Sequence, residues 1–192
     1  MRQNKRIAVT GGIGSGKSTV CAALKKYGFP VFSCDEVYRE LQREKSFLEG
    51  LKKIFPSVVT KEGLDKKALS AIVFSDSSAL EKLNAYTHPR IMERVFERMD
   101  GFSLAFAEVP LLFEANLEGE FDGVLVVMRK AEDRLAAVCA RDGVSEAAVR
   151  DRIKNQFDYE NNLKSGHTVI YNDGDKDSLE RKVWQYLKKI NG

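Results

Sequence analysis

The sequence predicts an α/β protein built on a doubly wound, mainly parallel sheet of about five strands. Short, continuously apolar runs alternate along the chain with segments whose apolar residues recur at helical spacing. Apolar runs that do not alternate with polar residues are typical of strands covered on both faces. The chain has 192 residues, of which 43% are hydrophobic and 31% are charged, as in one ordinary globular domain.

The first strand and helix are predicted on either side of a glycine-rich turn. The apolar run at 7–9 ends at glycines, and from Lys17 the apolar residues follow helical spacing as far as Gly28. A second strand is expected at 30–32, and because one helix separates it from the first, the two should be parallel. Three later strands are expected at 104–107, 124–127 and 168–170.

The other segments are predicted to be helical. Residues 35–99 read as a helical insertion throughout, with the spacing of a capping box from Ser78 to Glu81. Pro89 lies inside one of these helical stripes and is expected to kink the helix or divide it in two. Further helices are expected at 134–141, after the N-cap candidate Ser145, and over 179–190.

Composition and charge exclude several classes of function. The 31 basic and 28 acidic residues give a net charge of +3, which is no signal for a nucleic-acid partner. Cys21, Cys34 and Cys139 form no C-x-x-C pair and fit free thiols in a reducing compartment. The first apolar run is too short for a signal peptide or a membrane span, so we expect a cytoplasmic protein without a membrane partner. The oligomeric state stays open.

Residues 11–18 match the phosphate-binding pattern G-x-x-x-x-G-K-[ST], between a predicted strand and a predicted helix. Glycines let the backbone approach phosphate groups, Lys17 reaches the β- and γ-oxygens, and the Ser18 hydroxyl can bind Mg²⁺. A nucleoside triphosphate and Mg²⁺ are therefore expected at this loop, within a P-loop nucleoside triphosphate hydrolase-like fold. The expected nucleotide-binding residues of the loop are Gly12, Ile13, Gly14, Ser15, Gly16, Lys17, Ser18 and Thr19.

The phosphate loop does not by itself define the reaction. The chain has no Asn-Lys-x-Asp guanine motif, and a transporter-type ATPase would need a signature helix and a longer chain. Small-molecule kinases remain, because their helical acceptor lobe and basic lid fit the predicted segments. A single kinase domain would then have a core at about 1–34, 101–141 and 167–192, an acceptor lobe at about 35–100 and a lid at about 142–166.

Three residues outside the loop have a functional and a structural interpretation each. Asp35 follows a strand expected beside the loop strand, where it would either accept the proton of an acceptor hydroxyl or cap a helix. His88 would either line the acceptor pocket or bond backbone within its helix. Glu108, at the end of the third strand, would hold Mg²⁺ through water or position substrate, or it would be a surface charge at a strand end.

Several motifs, in order along nearly the whole chain, resemble those of the dephospho-CoA kinase family. They lie at 10–19, 64–69, 73–74, 83–89, 109–114, 141–142 and 169–174. The resemblance implies ATP-dependent phosphorylation of the ribose 3′-hydroxyl of dephospho-CoA, the last step of coenzyme A synthesis. The alternatives are a nucleoside or nucleoside-monophosphate kinase, which shares the core, and a non-catalytic nucleotide-binding protein.

The resemblance also implies roles for individual residues. Asp35, Lys17 and Arg141 would be catalytic, and Asn172 would lie on the adenine side of the nucleotide. The substrate-binding residues would be Asp35, His88, Glu108, Pro110 and Leu111. Arg150 and Arg152 are further lid arginines that either meet the transferred phosphoryl group or form a solvated helix face.

The chain departs from the family pattern at three places. Ser33 stands where the family usually has the first acid of an Asp-x-Asp pair. Ala137 stands where we expect a lid-side arginine, with Arg134 three residues earlier, and Gly166-His167 replaces an Ala-Asp pair. These changes indicate a divergent member with altered lid contacts.

Overall fold

The computed structural model describes residues 4–163 and 165–191 of the chain. Its described residues form two compact units, one within 1–32 and 99–192 and the other within 33–98. The strands are β1 Lys5–Thr10, β2 Val31–Ser33, β3 Val59–Thr60, β4 Gly63–Leu64, β5 Leu104–Glu108, β6 Gly123–Met128 and β7 Thr168–Tyr171. The α-helices are α1 Lys17–Lys26, α2 Cys34–Leu41, α3 Lys45–Ile54, α4 Lys66–Ser75, α5 Ser77–Met99, α6 Ala131–Asp142, α7 Glu146–Lys154 and α8 Lys176–Asn191.

The first unit contains a five-stranded sheet in the order β2–β5–β1–β6–β7. β1 pairs in parallel with both β5 and β6, and β6 pairs in parallel with β7. Residues 7–10, 104–107 and 124–127 are buried, as expected of strands covered on both faces. The prediction of a doubly wound parallel α/β fold is therefore confirmed.

The core of this unit joins the sheet to the two helices α1 and α8. Val9, Phe106 and Leu125 come from the strands, and the fully buried Leu24 and Val183 come from the helices. Removing such side chains from water contributes about 1.5–3 kcal/mol each. This packing fixes the start of α1, and with it the turn that precedes the helix.

The predicted position of the second strand was wrong. β5 lies between β2 and β1, so β2 is not beside the strand that enters the phosphate loop. The Phe106 amide of β5 donates to the Pro30 carbonyl at 2.9 Å, just before β2. The connection from β2 to β5 is long enough for β5 to insert between β2 and β1. No local pattern in the sequence indicates which strands become neighbours.

The second unit contains α2, α3, α4, most of α5 and a small hairpin. The prediction of helix throughout this segment was wrong, because Val59 pairs with Leu64, and Thr60 with Gly63, in an antiparallel ladder. Gly63 has φ +116°, a conformation that side-chain-bearing residues rarely adopt. The two-residue strands were too short to show a period in the sequence.

α5 continues through Pro89 as one helix over Ser77–Met99, so of the two expected outcomes, a kink or a division, the division is absent. The proline removes the backbone donor that would bond the Ala85 carbonyl, and next to it the Arg90 guanidinium donates to the Tyr86 carbonyl at 2.7 Å. The capping box was placed wrongly, because the carboxylate of Asp76 accepts the amide of Ser78 at 2.8 Å. Burial of Met92 and Val95 stabilises the helix beyond the proline. Among the described helices, none is long and apolar enough to cross a membrane.

Candidate active site

The loop between β1 and α1 has the backbone of an anion site. Gly14 and Gly16 have φ of +75° and +98°, so both positions favour glycine. Gly16 is the N-cap of α1 without a side-chain cap, and its carbonyl accepts the amides of Thr19 and Val20. The first-turn amides of α1 therefore lack side-chain capping and point towards the mouth of the loop, where phosphate groups bind helix N-termini.

Lys17 lies over the same loop. Its ammonium group donates to the carbonyls of Gly11 at 2.6 Å and Gly12 at 3.1 Å. Ser15 is 1% exposed, and its hydroxyl has no hydrogen-bond partner within the described residues. A buried hydroxyl and an ammonium group on one glycine-rich loop are suited to anionic oxygen atoms.

Asn172 is brought to the loop from the other end of the chain. Its amide donates to the Met128 carbonyl at 2.7 Å, and its Nδ2 donates to the Ser15 carbonyl at 2.9 Å. A Cβ added at Gly16 would lie 2.3 Å from that Nδ2, so this close approach requires glycine. The structure thus places Asn172 directly against the phosphate loop.

Three residues that the sequence reasoning did not assign to the site also contact β1 or the loop. Arg134 and Gln156 both hydrogen-bond the backbone of Ile13. The Tyr159 hydroxyl lies 3.3 Å from the Thr10 hydroxyl, and burial raises the pKa of Tyr159 to about 12. Arg134 had a sequence signal in its spacing from Ala137, whereas Gln156 and Tyr159 had none.

The carboxyl end of β5 adjoins the strand that enters the loop. Glu108 is in register with Val9, and the Val109 amide donates to the Val9 carbonyl at 3.0 Å. Pro110 and Leu111 follow in a turn, with Leu111 exposed. Strand ends in this position form the ligand edge of open α/β sheets.

The candidate site contains oxygen groups of the kind that bind Mg²⁺. The described residues contain no cluster of three or more His, Cys, Asp or Glu side chains that could hold a metal. Mg²⁺ does not require one, because it keeps several waters and takes one or two protein oxygens together with substrate phosphates. The Ser18 hydroxyl and the Glu108 carboxylate are donors of that kind.

The three arginines that the sequence predicted for a lid each pair with a carboxylate. Arg141, in the last turn of α6, donates from Nε and Nη2 to the two oxygens of Asp142 at 2.7 and 3.0 Å. Arg152 donates to the same carboxylate at 3.2 Å. These guanidinium groups lower the pKa of Asp142, and the hydrogen bond to Asp142 raises the pKa of Arg141. The hydrogen bonds of Arg141 thus go to its neighbour Asp142, while Arg150 pairs with Glu146 at 3.5 Å.

Comparison with known proteins shows which family has a sequence like that of this chain. A family model described as dephospho-CoA kinase matches residues 5–178. The chain is 38% identical to a dephospho-CoA kinase of Thermus thermophilus, with 97% of this chain and 92% of the relative aligned. A second relative from Chlorobaculum tepidum, with the same name, is 36% identical over 96% of this chain and 94% of its own. The chain belongs to the dephospho-CoA kinase family.

Solved structures agree with that membership. The dephospho-CoA kinase from Campylobacter jejuni superposes with a TM-score of 0.72 at 27% identity, covering 96% of both chains. A crystal structure from Thermus thermophilus gives a TM-score of 0.86 at 37% identity, covering 99% of this chain and 100% of that one. Membership in the dephospho-CoA kinase family makes the chain a phosphotransferase, and favours neither a nucleoside kinase nor a non-catalytic protein.

The structure at the start of α2 tests whether Asp35 caps the helix. The family resemblance implies that Asp35 is instead the catalytic aspartate. Ser33 is the N-cap, with its hydroxyl accepting the amide of Glu36 at 3.4 Å. The capping interpretation of Asp35 was therefore wrong: Asp35 is exposed in the first turn of α2. Ser33 performs the capping.

His88 lies in the middle of α5, directly before Pro89. It is half-buried, and burial lowers its pKa, because the charged imidazolium is less well solvated there. Neighbouring Tyr86 is buried and donates its hydroxyl to the Phe47 carbonyl at 2.8 Å, which ties α5 to α3. His88 and Asp35 both belong to the second unit, whereas the phosphate loop, Asn172, Glu108 and Arg141 belong to the first.

Proposed function

We propose that this chain transfers the γ-phosphoryl group of ATP to the ribose 3′-hydroxyl of dephospho-CoA, releasing coenzyme A and ADP. The observation that carries the proposal is a complete phosphate loop in a chain whose dephospho-CoA kinase family match covers residues 5–178. The loop accounts for the triphosphate, and family membership accounts for the acceptor.

The donor side consists of the loop and its neighbours. Amides at the start of α1 bind the phosphate oxygens, and Lys17 neutralises charge at the β- and γ-phosphates. Asn172 positions the loop through the Ser15 carbonyl and borders the adenine. Phosphoryl transfer has a loose transition state, so these groups act mainly by positioning and by charge stabilisation.

Mg²⁺ would be held by the Ser18 hydroxyl, with Glu108 acting directly or through water. Mg²⁺ held there would offset the negative charge of the phosphate oxygens. Glu108 is also suited to position the acceptor, because it ends the strand next to β1. Pro110 and Leu111 continue from that strand as acceptor contacts.

The acceptor hydroxyl is oriented by Asp35, whose carboxylate accepts its proton as the bond to phosphorus forms. Asp35 is exposed, and Ser33 rather than Asp35 caps the helix, so the carboxylate is available for this role. His88 contributes to acceptor binding as a neutral imidazole, consistent with its lowered pKa.

Arg141 reaches the transferred phosphoryl group when the lid closes, exchanging its contact with Asp142 for the phosphate oxygens. Closure also excludes water, which would otherwise consume ATP by hydrolysis. Cys21, Cys34 and Cys139 are free thiols, as expected in a reducing compartment, and we place the reaction in the cytoplasm.

The test is a coupled assay of ADP release with ATP and Mg²⁺. Dephospho-CoA, a nucleoside, a nucleoside monophosphate and a reaction without acceptor are compared in parallel. We expect turnover with dephospho-CoA to exceed each other reaction by at least about 100-fold, a difference of about 2.7 kcal/mol in transition-state binding. Equal rates with a nucleoside or without acceptor would contradict the proposal.

A further inference from the structure

Both peptide groups of one loop residue, Ile13, are held by side chains from outside the loop. The Ile13 amide donates to Oε1 of Gln156 at 2.8 Å, and the Ile13 carbonyl accepts from Nε of Arg134 at 2.9 Å. Arg134 lies in the first turn of α6, and Gln156 follows α7. A residue bonded at both its N–H and its C=O cannot change its backbone angles without losing a hydrogen bond.

Arg134 is also packed against the loop glycines. A Cβ at Gly12 would lie 2.2 Å from its Nη2, and a Cβ at Gly14 would lie 2.7 Å from its carbonyl oxygen. The absence of side chains at Gly12 and Gly14 therefore leaves space for Arg134 as well as for the phosphate groups. The guanidinium of Arg134 is partly removed from water, and this burial lowers the pKa of Arg134. A partly buried positive charge is stabilised by a nearby anion, such as a phosphate group.

The loop segment around Ile13, which Arg134 and Gln156 bond, lies at the end of the site that takes the β- and γ-phosphates. The Lys17 ammonium bonds the carbonyls of Gly11 and Gly12, directly before Ile13. Because the lysine of this motif reaches the β- and γ-oxygens, residues 11–13 lie at the β/γ end of the nucleotide. The opposite side of the loop is held by Asn172 through the Ser15 carbonyl.

The Ile13 amide is bonded to Gln156, while other amides of the site are placed to bind phosphate. The amides best placed for phosphate are those at the start of α1, where Gly16 leaves the helix without a side-chain cap. The Ser15 amide is already bonded to the Gly12 carbonyl at 3.1 Å. Gln156 can therefore keep its bond to Ile13 while the nucleotide is bound.

We propose that Arg134 and Gln156 are positioning residues that act as one clamp on Ile13 and preset the loop for the β- and γ-phosphates. Arg134 thereby supplies, one helical turn earlier, a lid-side arginine that position 137 lacks. Holding the loop before the nucleotide arrives lowers the conformational entropy lost on binding. The inference rests on the proposed function only in that the nucleotide is ATP.

The test compares Gln156→Leu and Arg134→Met, which keep side-chain bulk but remove the donor or acceptor. Matched controls are Gln185→Leu and Arg181→Met, two exposed positions of α8. Dissociation constants for ATP and ADP are measured by calorimetry without acceptor, well below the melting temperature of each variant. We expect about 3- to 10-fold weaker binding for Gln156→Leu, about 10- to 100-fold for Arg134→Met, and less than about 2-fold for the controls.

The double variant Gln156→Leu with Arg134→Met tests whether the two residues act as one clamp. Two side chains that hold the same residue should be non-additive, so we expect the double variant to bind ATP about as weakly as Arg134→Met alone. Losses that multiply, or ATP affinity that is unchanged in either single variant, would overturn the proposal. Because binding is measured without acceptor, these results do not depend on whether dephospho-CoA is the substrate.

Discussion

Replacing Asp35 by asparagine separates chemistry from helix stability at this position. The amide keeps the size of the side chain but cannot accept a proton, so we expect kcat with dephospho-CoA to fall by about 10²- to 10⁴-fold. ATP affinity should be unchanged, because Asp35 is not part of the loop that binds the phosphates. The prediction concerns the exposed carboxylate that follows the N-cap Ser33.

The cost of this change in stability follows from the start of α2. Ser33 caps the helix, so Asp35→Asn leaves the capping hydrogen bond to Glu36 intact. Only the favourable interaction of a negative charge with the helix N-terminus is lost, about 0.3–1 kcal/mol. For a chain of 192 residues this corresponds to a decrease of about 1–4 °C in melting temperature.

The neighbouring acid supplies the control. Glu36 is exposed in the same first turn, so Glu36→Gln should lower the melting temperature by a similar amount while kcat stays within about 2-fold of the parent. Steady-state kinetics, ATP binding by calorimetry and thermal unfolding are measured on both variants. Full activity in Asp35→Asn, or an equal loss of kcat in Glu36→Gln, would refute the assignment of Asp35.

Three further predictions concern other parts of the site. Lys17→Ala should weaken ATP binding and lower kcat together, by at least about 100-fold in kcat/KM, and near-normal turnover would show that the loop is not used as proposed. Arg141→Ala should lower kcat with ATP affinity unchanged, because Arg141 bonds Asp142 before closure, and an unchanged kcat would remove it from the catalytic set. Burial holds the pKa of His88 in the folded protein below its usual value of about 6.5. Below about pH 6.5 the unfolded chain therefore binds more protons at His88 than the folded chain, and the free energy of unfolding decreases as pH falls. The melting temperature should therefore fall less between pH 7 and pH 5 in His88→Gln than in the parent, and identical pH dependence would contradict the role of burial.

The phosphate loop and the strands of the first unit could be predicted from sequence because both are local patterns. Residues 11–18 contain the motif, and the buried strands appear as continuous apolar runs at 7–9, 104–107 and 124–127. Ser145 was also placed correctly as a cap, with its hydroxyl accepting the Ala148 amide at 3.4 Å. Each of these features depends on residues within a few positions of each other.

Features that depend on a shift of one or two residues were less well predicted. Ser33 and Asp35 are both good N-cap residues, and the choice between them depends on where β2 stops and α2 begins. Pro89 predicted a kinked or divided helix, and the division is absent because the buried Met92 and Val95 stabilise the turns beyond the proline.

The sequence by itself determined the nucleotide loop, the parallel α/β class and, through its motifs, the kinase family. Only the tertiary structure placed β5 between β2 and β1, and only the tertiary structure showed that Arg134, Gln156 and Asn172 hydrogen-bond the backbone of the loop. Those residues lie 121 to 157 positions from the loop residues that they bond. Contacts at such separations arise from the collapse of the whole core, and their geometry leaves no period or spacing in the local sequence.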